Sequence, residues 1–183
     1  MNDLEWLATR VGISLLGGQP PFDVGGGGAG AVVEPTHITH ARNVSGPVIS
    51  VVGWPTGRHH SVIKAAEARL AAETGAGEVW LSVDGALDAN AILADIVAVR
   101  QAVTAPTLLG VFVSGPGASA TAAAAEHAGA DLVAVSASGA LPETALPISV
   151  VGVAPSLEAV IAALDAGASR VFTSGPFRAV SAG

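Results

Sequence analysis

Cysteine is absent from this 183-residue sequence, which excludes disulfide bonds, thiolate nucleophiles and cysteine-bound metal ions. Charged residues make up 13% of the chain, compared with about 25% in typical soluble proteins. No uninterrupted apolar run reaches the length of roughly 18 residues that a membrane-spanning helix needs. A signal-peptide pattern is also lacking at the N-terminus. We therefore expect a cytoplasmic protein with no membrane partner.

Positive charge is scarce as well, because eight Lys and Arg residues stand against fifteen Asp and Glu residues and give a formal net charge of −7. This balance disfavours contact with a phosphate backbone, so no nucleic-acid partner is expected. Lysine occurs once, at Lys64, which leaves one candidate for chemistry that needs a neutral amine. Apolar residues, by contrast, make up 50% of the chain, and there are 23 glycines. This composition predicts a single domain, 1–183, with a substantial core.

Short apolar runs recur along the whole sequence. Most are continuous rather than alternating, which is typical of strands buried on both faces of a parallel sheet. Helix-like stretches at 61–74, 89–103, 118–128 and 156–165 separate several of them, the last with Ser156 as its expected N-cap. This alternation predicts an α/β fold. The predicted strands are residues 11–16, 31–34, 48–53, 78–83, 107–113, 132–136, 148–152 and 170–173.

The number of predicted strands suggests a (β/α)8 TIM barrel, although such barrels usually have about 250 residues. The missing length falls at 17–30, at 137–147 and after residue 175, where no helix fits. We therefore expect a reduced barrel with some outer helices short or missing. An open doubly wound sheet with fewer strands is the alternative. A wall without its helices exposes apolar surface, which predicts a homo-oligomer, most simply a dimer.

The predicted helix 61–74 carries an apolar stripe formed by Val62, Ile63, Ala66 and Leu70. We expect this stripe to pack on the sheet, as in other amphipathic helices. Lys64 lies off the stripe and has Glu67 three residues further on. The lysine side chain is therefore expected to be solvated.

Four segments resemble the deoxyribose-phosphate aldolases, a family of class I aldolases. They are Val51-Val-Gly-Trp-Pro-Thr-Gly57 and residues 67–87, 128–139 and 166–175. Their order and spacing match the family from the region of Val32 to the C-terminus. The resemblance implies a TIM barrel. It also implies a reaction that cleaves a deoxypentose phosphate, through a lysine Schiff base, into an aldehyde and a triose phosphate.

The sequence departs from this family at the positions that would carry the reaction. Ala134 occupies the place of the Schiff-base lysine, Trp80 that of the proton-relay aspartate, and the second lysine falls at or beside Ser149. Pro155 stands in place of a phosphate-binding arginine, and Lys64 matches a non-catalytic lysine of the family. We therefore expect a divergent barrel without Schiff-base activity, acting as a binding or assembly protein. An active deoxyribose-phosphate aldolase is the first alternative.

Ligand sites of such barrels form at the C-terminal ends of the strands. Arg58, His59 and His60 follow the third strand, where they either hold an anion or form a solvated loop. Together with Asp84, the two histidines provide a second alternative, an enzyme with altered acid/base chemistry. Residues 173–175 resemble the family's phosphate-binding loop, and the expected ligand is a small sugar phosphate or other anion, without a cofactor. The candidate ligand-binding residues are Arg58, His59, His60, Asp84, Ser136, Ser138, Gly152, Thr173, Ser174 and Gly175.

Two further patterns carry little weight. Glu34, His37 and His40 do not have the spacing of a metal site, so no metal ion is expected. The glycines at 25–30 match the G-x-G-x-x-G fingerprint, but they precede a strand instead of following one. This position indicates a linker rather than a dinucleotide site.

Overall fold

The computed structural model describes residues 3–22, 27–115 and 117–177. Eight parallel strands close into a barrel in which neighbouring strands follow the order of the chain. This topology confirms the predicted TIM barrel and excludes the open sheet. Gly25 and Gly26 of the predicted linker and the tail 178–183 lie outside the described residues. The strands are β1 Val11–Ser14, β2 Ala31–Val33, β3 Val48–Val52, β4 Glu78–Ser82, β5 Leu108–Val113, β6 Leu132–Ser136, β7 Ile148–Val153 and β8 Arg170–Thr173.

Helices cover only part of the barrel wall. A 3₁₀ segment, Pro35–Ala41, follows β2, and α-helices follow β3, β4, β5 and β7. No helix lies in the described residues between β1 and β2 or between β6 and β7. The expectation of a reduced barrel is therefore confirmed. The helices are α1 Asp3–Arg10, α2 Ser61–Thr74, α3 Ala89–Ala102, α4 Ala118–His127 and α5 Leu157–Asp165.

The helix-free link between β6 and β7 is held against α4 by one carboxylate. Glu126 accepts hydrogen bonds from the Thr144 hydroxyl and, over 2.7 Å, from the Ala145 N–H. The hydroxyl bond, followed by the backbone bond, lowers the pKa of Glu126 below its ordinary value. A side chain thus fixes a connection that has no helical hydrogen bonds of its own.

Aromatic side chains fill the barrel axis at points where the neighbouring strand has glycine. Trp80 and Phe172 are fully buried, and their rings meet edge to face with centroids 5.4 Å apart. Trp80 pairs in register with Gly110, and Phe172 pairs with Gly12. A Cβ atom at Gly110 would lie 2.4 Å from the indole, and one at Gly12 would lie 2.6 Å from the Phe172 ring. The two glycines therefore provide the space that the two aromatic rings occupy.

The apolar stripe of α2 faces away from the barrel. Val62, Ile63 and Leu70 are 71%, 56% and 62% exposed, and Ala66 is exposed as well. The prediction that this stripe packs on the sheet is therefore wrong. An apolar helix face of this size in contact with water is typical of a surface that another molecule covers.

The face of α2 that does pack on the barrel consists of Lys64, Ala68 and Ala71. Small side chains allow the helix to approach the strands closely. The contact is so close that a Cβ atom at Gly53, directly after β3, would lie 2.7 Å from the Cδ atom of Lys64. Lys64 is as large as a leucine, so side-chain size alone does not select this face, and the ion pair between Lys64 and Asp95 of α3 fixes it. Contacts with other elements therefore override the apolar periodicity of the helix.

Candidate functional site

The two axis positions at which the family resemblance implies catalytic groups are occupied by unreactive side chains. Ala134 of β6 and Trp80 of β4 are fully buried members of one interior apolar cluster. The indole Nε1 of Trp80 donates a hydrogen bond to Glu78 Oε2 over 3.0 Å. Ser149 of β7 pairs in register with Ala134 and is also buried. A methyl group, an indole and a hydroxyl cannot form an imine with a carbonyl compound.

An ion pair between a half-buried arginine and a buried carboxylate lies at the N-terminal end of the axis. Arg170 of β8 donates two hydrogen bonds, over 2.6 and 2.8 Å, to the two carboxylate oxygens of Glu78 at the start of β4. The guanidinium carbon lies 6.0 Å from the centre of the Trp80 ring and 5.6 Å from that of Phe172. Nothing local in the sequence signals this pair, because its members are 92 positions apart. Because Glu78 also accepts the hydrogen bond from the indole of Trp80, the pair fixes this ring from the N-terminal end of the barrel.

Trp54 covers the axis from the C-terminal side. Its ring meets Phe112 edge to face, with centroids 5.4 Å apart. Trp54 and Leu16 both pack on the interior cluster that contains Trp80. Above the Arg170–Glu78 pair, mostly apolar side chains therefore fill the axis up to the loop after β3.

The single lysine is buried in the barrel wall. Lys64 is 1% exposed, and its ammonium group donates a hydrogen bond to the Gly57 carbonyl over 2.7 Å and pairs with Asp95 Oδ2. The carbonyl oxygen of Ser82 lies 3.5 Å away. The prediction of a solvated lysine is therefore wrong. Because α2 and α3 pack on the outer side of the strands, this ammonium group lies between helices and strands and not on the axis.

Four of the predicted ligand-binding residues come together at the N-terminal end of α2. Arg58, His59, His60 and Asp84 line one cavity of about 350 Å³, which we call the α2 pocket. Arg58 Nε donates to Asp84 Oδ2 over 3.3 Å. The remaining lining residues are Gly57, Ser61, Leu87 and Asp95.

Asp95 is the ionisable lining residue that sequence reasoning missed. It belongs to α3, where a helix pattern gives no sign that one carboxylate points into the protein. The residue is 1% exposed, and its Oδ1 has no hydrogen-bond partner, whereas Oδ2 pairs with Lys64. The floor of the α2 pocket is therefore a buried ion pair with one unused acceptor atom.

The other predicted residues lie elsewhere around the C-terminal rim. Ser136 and Ser138 are in contact, with hydroxyl oxygens 3.1 Å apart, and line a cavity of about 500 Å³. Ser174 and Gly175 line a different cavity of about 490 Å³. The structure thus distributes most of the predicted set over three cavities instead of one.

Two hydrogen-bonding groups of the predicted phosphate-binding loop are used within the protein. The Thr173 hydroxyl donates to the carbonyl of Gly175 over 2.7 Å, and Thr173 is fully buried. The Ser174 N–H donates to the carbonyl of Val153 over 2.8 Å. Gly152 is exposed at an irregularity of β7, with φ of +84°. This loop therefore has fewer free donors than its sequence suggests.

Glu34 Oε2 and His37 Nδ1 lie 3.3 Å apart at the beginning of the 3₁₀ segment. Glu34 Oε1 accepts a hydrogen bond from the Gly17 N–H over 2.6 Å. Across the described ranges, no group of three or more acidic or histidine side chains is placed to hold a metal ion. In the same ranges, no helix has both the length and the apolar character needed to cross a membrane.

Comparison with known sequences finds deoxyribose-phosphate aldolases, although no protein-family model matches the chain. The enzyme from Mycolicibacterium paratuberculosis is 36% identical over 173 residues, which cover 78% of this chain and 77% of the relative. That from Deinococcus radiodurans is 32% identical, covering 82% and 80% of the two chains. A local match to the Nocardia farcinica enzyme reaches 45% identity but spans only 47% of this chain and 43% of the relative's length.

Solved structures show the same fold. The tetrameric deoxyribose-phosphate aldolase from Aeropyrum pernix superposes with a TM-score of 0.76 at 21% identity, covering 95% of this chain and 89% of that one. An aldolase designated QR15 superposes with a TM-score of 0.74 at 19% identity, covering 95% and 92%. Since these identities are low, the two superpositions bear on the barrel and not on its chemistry.

Proposed function

Since this chain belongs to the deoxyribose-phosphate aldolase family, we propose that it is a member that binds a small anionic ligand without forming an imine with it. The observation that carries this proposal is the pair Ala134 and Trp80 in the packed interior of the barrel. Class I aldol chemistry needs a neutral amine that can reach the substrate carbonyl and a group that moves protons beside it. Neither group is present at these positions.

Lys64 does not replace the missing amine in this proposal. Its ammonium group is paired with Asp95 and donates a hydrogen bond to the Gly57 carbonyl, so it is engaged within the barrel wall. Lys64 is also almost completely buried, so a substrate in solution does not reach it. To attack a carbonyl group, the amine would have to lose its proton, break its contacts with Asp95 and Gly57, and move out of the barrel wall to a substrate.

The ligand class follows from the rim of the barrel and from the relatives. Arg58, His59 and His60 bring cationic and hydrogen-bonding side chains to one cavity. The relatives are named for a phosphorylated sugar. A small sugar phosphate is therefore the ligand class that we propose, with the α2 pocket as its phosphate subsite.

Borohydride trapping together with thermal unfolding tests this function. The protein is incubated with 2-deoxyribose 5-phosphate, reduced, digested and analysed by mass spectrometry. We expect no added mass on the peptide that contains Lys64. In parallel, the sugar phosphate or inorganic phosphate should raise the unfolding temperature, since a ligand at a hundredfold excess over its Kd stabilises the folded state by about 2.7 kcal/mol.

The controls for this experiment separate its two arms. An active aldolase of the family must give the adduct under the same conditions. Because the N-terminal amine can also form an imine, an adduct there is distinguished by its mass on the N-terminal peptide. An adduct on Lys64 that disappears in Lys64→Arg would establish the alternative of an active aldolase. An unfolding temperature that responds to no anion would contradict the proposed binding.

We also propose that the exposed stripe of α2 forms the interface of a homodimer. Val62, Ile63 and Leu70 present three large apolar side chains on one helix. Arg69 and Glu73 beside them, 3.8 Å apart, offer both signs of charge, so that two-fold related copies of the helix can complement each other. The related Aeropyrum pernix enzyme is tetrameric, which supports self-association of this fold.

Changing the stripe should produce a monomer. In Ile63→Glu/Leu70→Glu, the interface would have to bury carboxylates without counter-charges, so the mass in solution should fall from about twice 17.9 kDa to 17.9 kDa. Light scattering after gel filtration measures this mass. Ile161→Glu is the matched control. Ile161 is 43% exposed on α5, which connects β7 and β8 on the side of the barrel opposite α2. A monomeric parent protein, or an unchanged dimer in the double variant, would contradict the interface.

A further inference from the structure

We propose that the α2 pocket is selective for an oxyanion that carries a proton, namely inorganic phosphate or a phosphate monoester, and that Asp95 accepts the hydrogen bond from that proton. This inference rests on the proposed anion binding and specifies its site and its selectivity. The pocket lies in the barrel wall between the loop after β3, the loop after β4 and α3. It is therefore separate from the axis that Trp80 fills.

The donors of the site are at the beginning of α2. This helix has 14 residues, and its N-cap, His60, makes no side-chain capping bond. The N–H group of Ser61, which lines the pocket, is in the first turn and has no carbonyl partner within the helix, whereas those of Ile63 and Lys64 bond to the His60 carbonyl. Free first-turn N–H groups and the helix dipole together favour an anion.

The acceptor of the site is the unused oxygen of Asp95. A buried carboxylate oxygen without a hydrogen-bond donor is costly, and native proteins rarely contain one. Asp95 lines the pocket, so a ligand bound there can supply the missing donor. Phosphate and its monoesters carry a proton in part or all of their population near neutral pH, whereas sulfate carries none. Sulfate would place an unprotonated oxygen against the carboxylate.

The charges around the pocket allow a carboxylate to take part in anion binding. The Lys64 ammonium directly behind Asp95 compensates its charge. Arg58 faces Asp84 at 3.3 Å and is 69% exposed, so its remaining N–H groups are free to turn to a ligand. With these pairs in place, the pocket is close to neutral and suits an anion of low charge.

Amide NMR titrations with inorganic phosphate and with sulfate, at equal ionic strength and pH 7, test the inference. Phosphate should shift the amide signals of His60 and Ser61, and sulfate should bind at least about tenfold more weakly. Arg58→Gln should weaken phosphate binding several-fold without changing the fold, because Arg58 is a surface residue. Asp95→Asn should reduce the preference for phosphate to less than about threefold.

The outcomes separate this inference from the proposed function. Equal affinity for sulfate, or phosphate shifts confined to Ser174 and Gly175, would overturn the inference and leave anion binding intact. Amide signals that respond to neither anion would overturn both. If Asp95→Asn does not fold because Lys64 loses its partner, the comparison of the two anions on the parent protein and on Arg58→Gln remains decisive.

Discussion

Replacing Lys64 with methionine is expected to lower the free energy of unfolding by about 3–5 kcal/mol, as measured by urea denaturation. The methylene chain of lysine is replaced by a side chain of similar volume, so packing against Gly53 is largely kept. What is lost is the ammonium group that compensates Asp95, which is 1% exposed. A buried carboxylate without a counter-charge is the main cost.

Two further variants isolate the ion pair. Arg69→Met makes the same kind of change on the exposed face of α2 and should cost less than about 0.5 kcal/mol. The double variant Lys64→Met/Asp95→Leu removes both charges and should recover most of the lost stability. A Lys64→Met protein as stable as the parent would mean that the lysine is solvated, as the helix pattern suggests.

The α2 helix shows where sequence reasoning reaches its limit. Its boundaries, 61–74, are predicted correctly, because they depend on local propensity and on Gly75, which ends the helix with φ of +110°. Its orientation is predicted wrongly, because the buried face is selected by Asp95 from α3 and by the close approach of Gly53. Both contacts come from other elements, and a periodicity within one helix does not contain them.

The barrel itself was predictable for a related reason. All eight predicted strands occur, with ends shifted by no more than two residues, for example 11–16 against Val11–Ser14. Continuous apolar runs mark strands covered on both faces, and that signal is contained within each run. The absence of a helix between β1 and β2 was equally predictable from glycine and proline in 17–30.

The interior was predictable only in part. The family resemblance pointed to Ala134 and Trp80 as the positions at which the catalytic groups are lost. It did not indicate what replaces those groups, namely a stack in which Arg170 and Glu78 hold the indole against Phe172. These partners come from opposite sides of the barrel, so only the closed sheet brings them together.

Truncating Trp80 to alanine is expected to cost about 3–5 kcal/mol of unfolding free energy, because a fully buried indole leaves a cavity that the rigid barrel cannot close. Gly110 opposite cannot fill it, and Ala134 beside it is too short. Trp6→Ala is the matched control, since Trp6 is 42% exposed and its loss should cost about 1 kcal/mol or less.

The cavity in Trp80→Ala should accept free indole. Apolar cavities of this kind bind apolar ligands of matching shape, so indole should raise the unfolding temperature of Trp80→Ala but not that of Trp6→Ala. The measurement is thermal unfolding with and without indole. Equal losses of stability in the two variants would show that the axis is not packed around Trp80. In that case space for a substrate would already exist on the axis beside Ala134.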